Sequence, residues 1–204
     1  INYNETQEKA IKGALNNNIT IISGGPGTGK TTIINAIVKL YIEKEKLGSA
    51  DIMETIALLA PTGRAAKKMN SSTGIPAYTI HRYLKWYKDS NEFVYNEFNK
   101  THHKLIIVDE VSMIDVDLFN ALLNGINSNI KLILVGDTFQ LPSVGPGLVL
   151  NELIESDYFN YIPLNQIYRQ SDNSYIPFLA KEIKNNDLSE EFLTKKDDYN
   201  FVNV

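Results

Sequence analysis

Ile19-Thr20-Ile21-Ile22-Ser23-Gly24-Gly25-Pro26-Gly27-Thr28-Gly29-Lys30-Thr31-Thr32 is a β-branched run followed by a glycine-rich turn. The turn opens onto Ile33-Ile34-Asn35-Ala36-Ile37-Val38, an amphipathic segment. Gly24, four residues, then Gly29-Lys30-Thr31 reads as strand, phosphate loop, helix. A nucleoside triphosphate brings several negative charges, and bare backbone N–H groups meet them best. Gly24, Gly25, Gly27 and Gly29 leave that backbone open and free to take positive φ. The helix N-terminus behind the loop adds partial positive charge and unpaired donors. Lys30 supplies a point charge to the β- and γ-phosphates, and the Thr31 hydroxyl is a ligand for Mg²⁺. A nucleotide site is therefore expected on Gly25, Pro26, Gly27, Thr28, Gly29, Lys30, Thr31 and Thr32.

The 204 residues suit one sizeable domain or two small ones, and a hydrophobic fraction of 43% supports a proper core. No cysteine is present, which excludes a disulfide framework and thiolate metal sites and fits a reducing, cytoplasmic setting. No apolar run approaches the ~20 residues of a membrane span, and no signal peptide opens the chain. A start at Ile1 instead of Met reads as a piece of something longer. The net charge of −4 excludes a broad basic footprint, so any nucleic-acid contact is expected along a narrow track.

From the start, residues 4–11 begin a helix, with Thr6 as N-cap and Ala10, Ile11, Ala14 and Leu15 at helical spacing. The helix after the phosphate loop runs to about Lys46 and stops at Gly48. Residues 55–60 read as a second strand, 62–69 as a short helix capped by Thr62, 71–76 as a loop, and 79–87 as a further helix. Residues 89–103 lack periodicity, suit a small insertion, and offer 93–95 as one arm of a hairpin. Strands are expected at 104–108, 131–135 and 161–164, and helices at 116–125, 147–155 and 173–184. Alternating helices and nearly all-apolar strands predict an α/β fold with a parallel sheet covered on both faces. The final stretch, 187–204, is polar until Phe201-Val202 and has no assigned role.

Asp109-Glu110 ends the third expected strand. Ligands of parallel α/β folds sit at the carboxyl ends of the strands, so this pair is expected to face the phosphate loop. Asp109 then joins Thr31 in holding Mg²⁺, and Glu110 orients or deprotonates an attacking water. A glutamate in that place favours hydrolysis over transfer to a metabolite.

Further blocks extend the pattern: Leu59-Ala60-Pro61-Thr62-Gly63-Arg64-Ala65-Ala66, Thr79-Ile80-His81-Arg82 and Ile107-Val108-Asp109-Glu110-Val111-Ser112-Met113. Val135-Gly136-Asp137-Thr138-Phe139-Gln140-Leu141-Pro142-Ser143-Val144-Gly145 and Ile167-Tyr168-Arg169-Gln170 complete it. In this order, over roughly residues 4–184, the set resembles the first motor domain of superfamily 1 helicases. It resembles specifically the RecD-like branch, whose members are often labelled exonuclease V alpha subunit. The resemblance implies a P-loop NTPase (RecA-like) three-layer sandwich with a mainly parallel sheet over residues 1–186. It also implies an insertion near 89–103 and a downstream region starting at 187–204.

The same resemblance implies an ATP-dependent DNA helicase motor that uses ATP and Mg²⁺, works 5′-to-3′ and serves DNA repair and recombination. Gln7 matches a glutamine that reads adenine, in keeping with the bidentate pairing a carboxamide can make to adenine N6 and N7. Gln140 matches a γ-phosphate sensor and Arg169 an arginine finger. With Lys30, Asp109 and Glu110, they form the implied catalytic set. Pro61, Thr62, Gly63, Arg64 and His81 lie in blocks that touch single-stranded DNA. Tyr83, Trp86 and Tyr87, at helical spacing, read as packing, and His102 and His103 as a solvated turn. The implied partners are single-stranded DNA, a second motor domain of the same parent chain and other subunits of a helicase–nuclease complex, with no membrane. No carboxylate cluster marks a nuclease in this chain. Two other readings stay open: a nucleotide-regulated DNA-binding module with little turnover, and a small-molecule P-loop kinase.

Overall fold

The computed structural model describes residues 3–90, 92–164, 175–184 and 186–202. In chain order the elements begin with α1 (Glu5–Asn16), β1 (Ile19–Gly24), α2 (Lys30–Glu45), α3 (Ser49–Thr55), β2 (Ile56–Ala60) and α4 (Gly63–Thr73). Next come β3 (Ala77–Thr79), α5 (Ile80–Tyr83), β4 (Trp86–Tyr87), β5 (Glu92–Phe93), β6 (Leu105–Val108) and α6 (Val116–Gly125). The last are β7 (Lys131–Gly136), α7 (Val149–Glu155), β8 (Asn160–Leu164) and α8 (Ile176–Lys184). Six strands pair in the order β3-β2-β6-β7-β1-β8, every pairing parallel.

The inner strands are mostly apolar because both sheet faces are covered. Side chains alternate across a strand, and here they alternate between two cores. Ile22, Leu58, Ile107 and Ile133 pack with Ala10, Ile11, Ile33 and Ile37 of α1 and α2. Their neighbours Ile21, Leu59, Ile106 and Leu134 pack on the other face with Tyr83, Leu122 and Leu150. Each of these buried Leu and Ile side chains contributes about 1.5–3 kcal/mol relative to exposure. The result is the expected three-layer α/β sandwich. β8 departs from the all-apolar pattern, with Tyr161 and Pro163 exposed in alternation. It pairs only with β1, and proline is tolerated at such an edge because the missing N–H faces no partner.

Several local expectations are corrected. Asn4, not Thr6, caps α1: its side chain accepts from the Gln7 N–H at 2.7 Å, while Gln7 Oε1 accepts from the Asn4 N–H at 3.2 Å. This is a reciprocal capping box. α3 and the edge strand β3 are additions to the expected elements, and α4 runs on to Thr73 before Gly74 takes φ +73°. The expected helix over 79–87 ends at Tyr83. Lys85 adopts a left-handed conformation, φ 54°, and Trp86-Tyr87 pairs with Glu92-Phe93 as an antiparallel hairpin. Tyr83 is buried as a packing residue, whereas Trp86 and Tyr87 are exposed on the hairpin.

α1 is drawn tightly onto the sheet. A Cβ on Gly13 would lie 2.6 Å from Asn160 Nδ2 and 2.8 Å from Ile162 Cδ1. The Gly13 carbonyl accepts from Thr20 Oγ1 at 3.2 Å, and Asn160 Nδ2 donates to the same Thr20 oxygen at 3.2 Å. Toward the carboxyl end, Asp198 accepts from the N–H groups of Tyr175 and Ile176, at 3.0 and 3.5 Å, where α8 begins. The polar stretch after residue 187 therefore folds back to cap that helix.

His103 is not in a solvated turn. It is half-buried, with Nδ1 3.1 Å from Tyr83 Oη and Nε2 3.2 Å from the Met53 carbonyl oxygen. Tyr83 Oη also donates to Thr101 Oγ1 at 2.8 Å, and burial pushes its pKa up to about 12. Burial lowers the His103 pKa from 6.5, the Met53 carbonyl opposing and His102 reinforcing the shift. A histidine with a depressed folded pKa binds protons better when unfolded. Its contribution is complete above pH 6.5 and is lost as pH falls through the folded value. Denaturant midpoints at about pH 7.5 and about pH 5.5 are expected to drop further in wild type than in His103→Gln; equal drops would remove His103 from the pH dependence.

Candidate active site

Parallel strands bring their carboxyl ends to one edge. Ser23 pairs with Gly136, Val108 with Leu134, Leu59 with Val108 and Ala60 with Thr79. The segments after those residues therefore share that edge: the phosphate loop, Asp109-Glu110, 137–140, 61–64 and 80–82. The Asp109 N–H donating to the Leu59 carbonyl at 2.9 Å extends the pairing to the acidic pair itself.

In the phosphate loop, Gly27 and Gly29 have φ of 76° and 86°, backbone that a side chain would strain. Gly24 is needed for space, since a Cβ there would lie 2.9 Å from Leu164 Cβ. Thr28 is buried and its hydroxyl donates to the Gly25 carbonyl at 2.9 Å. Gly29 starts α2 without a side-chain cap, so the first-turn N–H groups are left for an anion. Lys30 Nζ donates to the Gly24 and Gly25 carbonyls, at 2.5 and 3.2 Å, which holds the ammonium over the loop.

Gln7 reaches this loop from α1. It is buried, and its Nε2 donates to the Thr28 carbonyl at 3.4 Å while its Oε1 serves the capping box. The carboxamide thus couples the start of α1 to the phosphate loop.

Asp109 Oδ1 accepts from the Glu110 N–H at 2.9 Å. Burial and the Glu110 charge push the Asp109 carboxyl above its usual range, against the Glu110 N–H, Lys30 and Lys68. Glu110 adopts φ 57° and ψ 41°, a left-handed conformation costing roughly 1 kcal/mol for a residue with a β-carbon. Its Oε2 is buried without a hydrogen-bond partner, a further cost of about 1–3 kcal/mol or more for a charged group. At the end of β7, buried Asp137 accepts from the Phe139 N–H at 3.0 Å, and its carbonyl from the Gln140 N–H at 3.1 Å. That turn carries half-buried Gln140 just beyond β7, the strand that pairs with β1.

The donors suit a magnesium nucleotide. Positive-φ glycines and a free helix N-terminus make a cradle for phosphates, and the Thr31 hydroxyl with the Asp109 carboxylate offers hard oxygen ligands. Among the described residues no group of three or more His, Cys, Asp or Glu side chains forms a metal cage. Mg²⁺ does not require one, since it keeps waters and shares substrate phosphates.

Thr62 uses its hydroxyl to cap α4, accepting from the Ala65 N–H at 3.3 Å. Pro61 is half-buried, and Gly63, Arg64 and His81 are exposed nearby on the same edge. The His81 ring lies 5.5 Å from Trp86 and 5.9 Å from Phe93, and the Arg82 guanidinium 5.3 Å from the Tyr78 ring centre. Arg169 and its block lie outside the described residues. Lys68 escaped the reading of the sequence, although its i+4 spacing from Arg64 on one helix marks a shared face. Ser112, whose hydroxyl is buried and unpartnered, was passed over within its block because serine at a strand end carries no signal by itself.

The fold and this edge define a P-loop nucleotide-binding protein, and comparison with known proteins agrees. Residues 7–146 match the AAA domain family, and the chain belongs to it. It is 37% identical over 168 residues to the RecBCD enzyme subunit RecD of Mycolicibacterium smegmatis, covering 74% of this chain and 30% of that protein. It is 36% identical over 167 residues to the ATP-dependent RecD2 DNA helicase of Deinococcus radiodurans, covering 82% of this chain and 22% of that protein. The Pif1 helicase of Candida albicans shares the fold, with a TM-score of 0.69 at 22% identity over 94% of this chain and 46% of that one. Within the AAA domain family, the chain is similar to RecD and RecD2, and it spans less than a third of these curated relatives.

Glu110→Asn removes a buried carboxylate and places a residue that tolerates left-handed backbone. The denaturation midpoint is expected to rise, by roughly 1 kcal/mol of stability; a fall would mean that the carboxylate is held by a compensating contact.

Proposed function

We propose that this chain is the ATP-binding motor domain of a DNA helicase, hydrolysing ATP with Mg²⁺ and contacting single-stranded DNA along the same sheet edge. The observation that carries the reading is the strained Glu110, one carboxylate oxygen buried and unpartnered, beside an Asp109 carboxyl on which the phosphate-loop lysine already acts. Strain of this kind clusters where chemistry needs a side chain in one place.

In the proposed reaction the backbone of residues 25–32 and Lys30 bind the β- and γ-phosphates. Thr31 and Asp109 hold Mg²⁺, which when bound supplies charge neutralisation at those phosphates. Glu110 accepts a proton from the attacking water, Gln140 senses the γ-phosphate and Arg169 stabilises charge on the transferring group. Gln7 reads the adenine edge.

DNA contacts are assigned to Pro61, Thr62, Gly63, Arg64 and His81. Backbone groups, a cation and an imidazole suit phosphates and sugars, and exposed Trp86 and Tyr87 add faces on which bases stack. We take 1–186 as the motor unit and 187–204 as the start of a downstream region. The relatives' names, a RecBCD subunit and a DNA helicase, support companion subunits. The resemblance of the motif blocks carries the remaining assignments: a second motor domain, a role in repair and recombination, cytoplasmic location and 5′-to-3′ movement. Among the described residues no helix is long and apolar enough to cross a membrane.

Lys30→Ala is expected to abolish tight triphosphate binding, whereas Glu110→Gln keeps binding and loses hydrolysis. Calorimetry and phosphate release with and without single-stranded DNA measure both, and equal loss of binding would remove Glu110 from the catalytic role. Absence of DNA-stimulated turnover in the wild type would favour a binding module over a motor.

Gln7→Ala is expected to weaken ATP by ~1–3 kcal/mol and GTP less. Because Gln7 also caps α1, both nucleotides are expected to lose a shared increment through the loop. Equal losses for the two would confine Gln7 to support.

A further inference from the structure

Glu110 begins a tight turn closed by two hydrogen bonds, Met113 N–H to the Glu110 carbonyl and Ile114 N–H to the Val111 carbonyl, both at 3.0 Å. The turn is pressed against the end of β7. A Cβ on Gly136 would lie 3.3 Å from the Ser112 backbone nitrogen and 3.5 Å from that of Val111. The Ser112 backbone therefore packs on the end of β7, which the turn carrying Gln140 follows.

Two buried side-chain atoms on this one turn lack hydrogen-bond partners, Glu110 Oε2 and Ser112 Oγ. They are chemically complementary. An ionised carboxylate only accepts, and a serine hydroxyl carries the donor it lacks. Buried polar atoms are rarely left unpaired, and two unpaired ones of opposite character, two residues apart beside a proposed reaction centre, mark a bond made in another arrangement of the site.

We infer that Ser112 is a positioning residue. When the site closes around the triphosphate, its hydroxyl donates to the Glu110 carboxylate and fixes the oxygen that faces the water. This rests on the proposed role of Glu110 as the group that acts on that water. No bond of the substrate is made or broken by Ser112; it restrains the rotation of the carboxylate and so raises the fraction of encounters with the right geometry.

The test is ATP hydrolysis by the full-length protein with saturating single-stranded DNA, comparing wild type, Ser112→Ala, Ser112→Thr, Glu110→Gln and the Ser112→Ala/Glu110→Gln double variant. Ser112→Ala is expected to lower kcat about tenfold, the rate equivalent of one hydrogen bond to a charged group. Its KM and its affinity for a fluorescent ATP analogue stay unchanged, and its melting temperature is equal or higher because an unpaired hydroxyl has gone. Ser112→Thr, which keeps the hydroxyl, restores most of the rate. In the Glu110→Gln background, single-turnover rates show no further loss from Ser112→Ala. A Ser112→Ala rate within about twofold of wild type, a Thr variant as slow as the Ala variant, or a full additional loss in the double variant would each overturn the inference. Wild-type turnover by Glu110→Gln would instead overturn the catalytic role of Glu110, a separate failure.

Discussion

The parallel hydrogen bonding of β1 to β7 on one side and β8 on the other is the constraint on which the molecule depends. Because every strand of the six-stranded sheet points the same way, each loop after one of them emerges at one edge, and chemistry from distant parts of the sequence collects there without a dedicated scaffold. The helices that return the chain must then cover both faces, which is why the two cores interleave residue by residue along each strand. Ile21 and Ile22 serve opposite cores. A polar substitution at either would place an unpaired group in a dry layer, and no conformational adjustment of a central strand relieves it.

Charge at the edge is arranged to be nearly balanced in a small volume. Lys30 and Lys68 act on the Asp109 carboxyl, yet burial together with the neighbouring Glu110 carboxylate raises it despite those two cations. Mg²⁺ held by Asp109 and Thr31, as proposed, would relieve that repulsion by adding positive charge beside the carboxylate. Gln7 adds a mechanical link. One carboxamide satisfies the α1 capping box and the Thr28 carbonyl, so a base that competes for it also alters the support of the phosphate loop. Adenine reading by Gln7, as proposed, then exchanges existing bonds instead of adding new ones, and its net contribution falls toward the low end of what a bidentate pair gives.

Residues with strong periodicity were legible in the sequence. The runs at β2 and β6 are unbroken apolar stretches, those at β1 and β7 nearly so, and α6 begins and ends where its pattern does. β3 was not legible, because three residues, Ala77-Tyr78-Thr79, are too few for a pattern and pair only along β2. The helix expected through Tyr87 failed on backbone geometry. Lys85 turns left-handed, and nothing about a lysine announces that. Thr6 looked like a cap on propensity alone, while the pattern that decides is Asn4-x-x-Gln7. The phosphate loop and Asp109-Glu110 were legible because their residue types are dictated by the ligand chemistry. The conformation of Glu110 was not, since it is set by the turn packed on Gly136.

The distribution of strain along the edge obeys a single rule. In the phosphate loop, at residues 27 and 29, positive φ falls on glycine and costs little. At residue 110 the same region of backbone space is occupied by glutamate. Glycine there would relax the chain and remove the carboxylate, so stability and side-chain chemistry oppose each other at that one position. The strain is held by contacts that come from elsewhere: the Asp109 carboxylate on the Glu110 N–H, the turn hydrogen bonds to residues 113 and 114, and the bare Cα of Gly136 that lets the turn approach β7. A Cβ at residue 136 would meet the Leu150 side chain at 2.7 Å and crowd the Ser112 nitrogen of the turn at 3.3 Å. The glycine ending β7 therefore belongs to the site as much as those of the phosphate loop, although it meets no ligand.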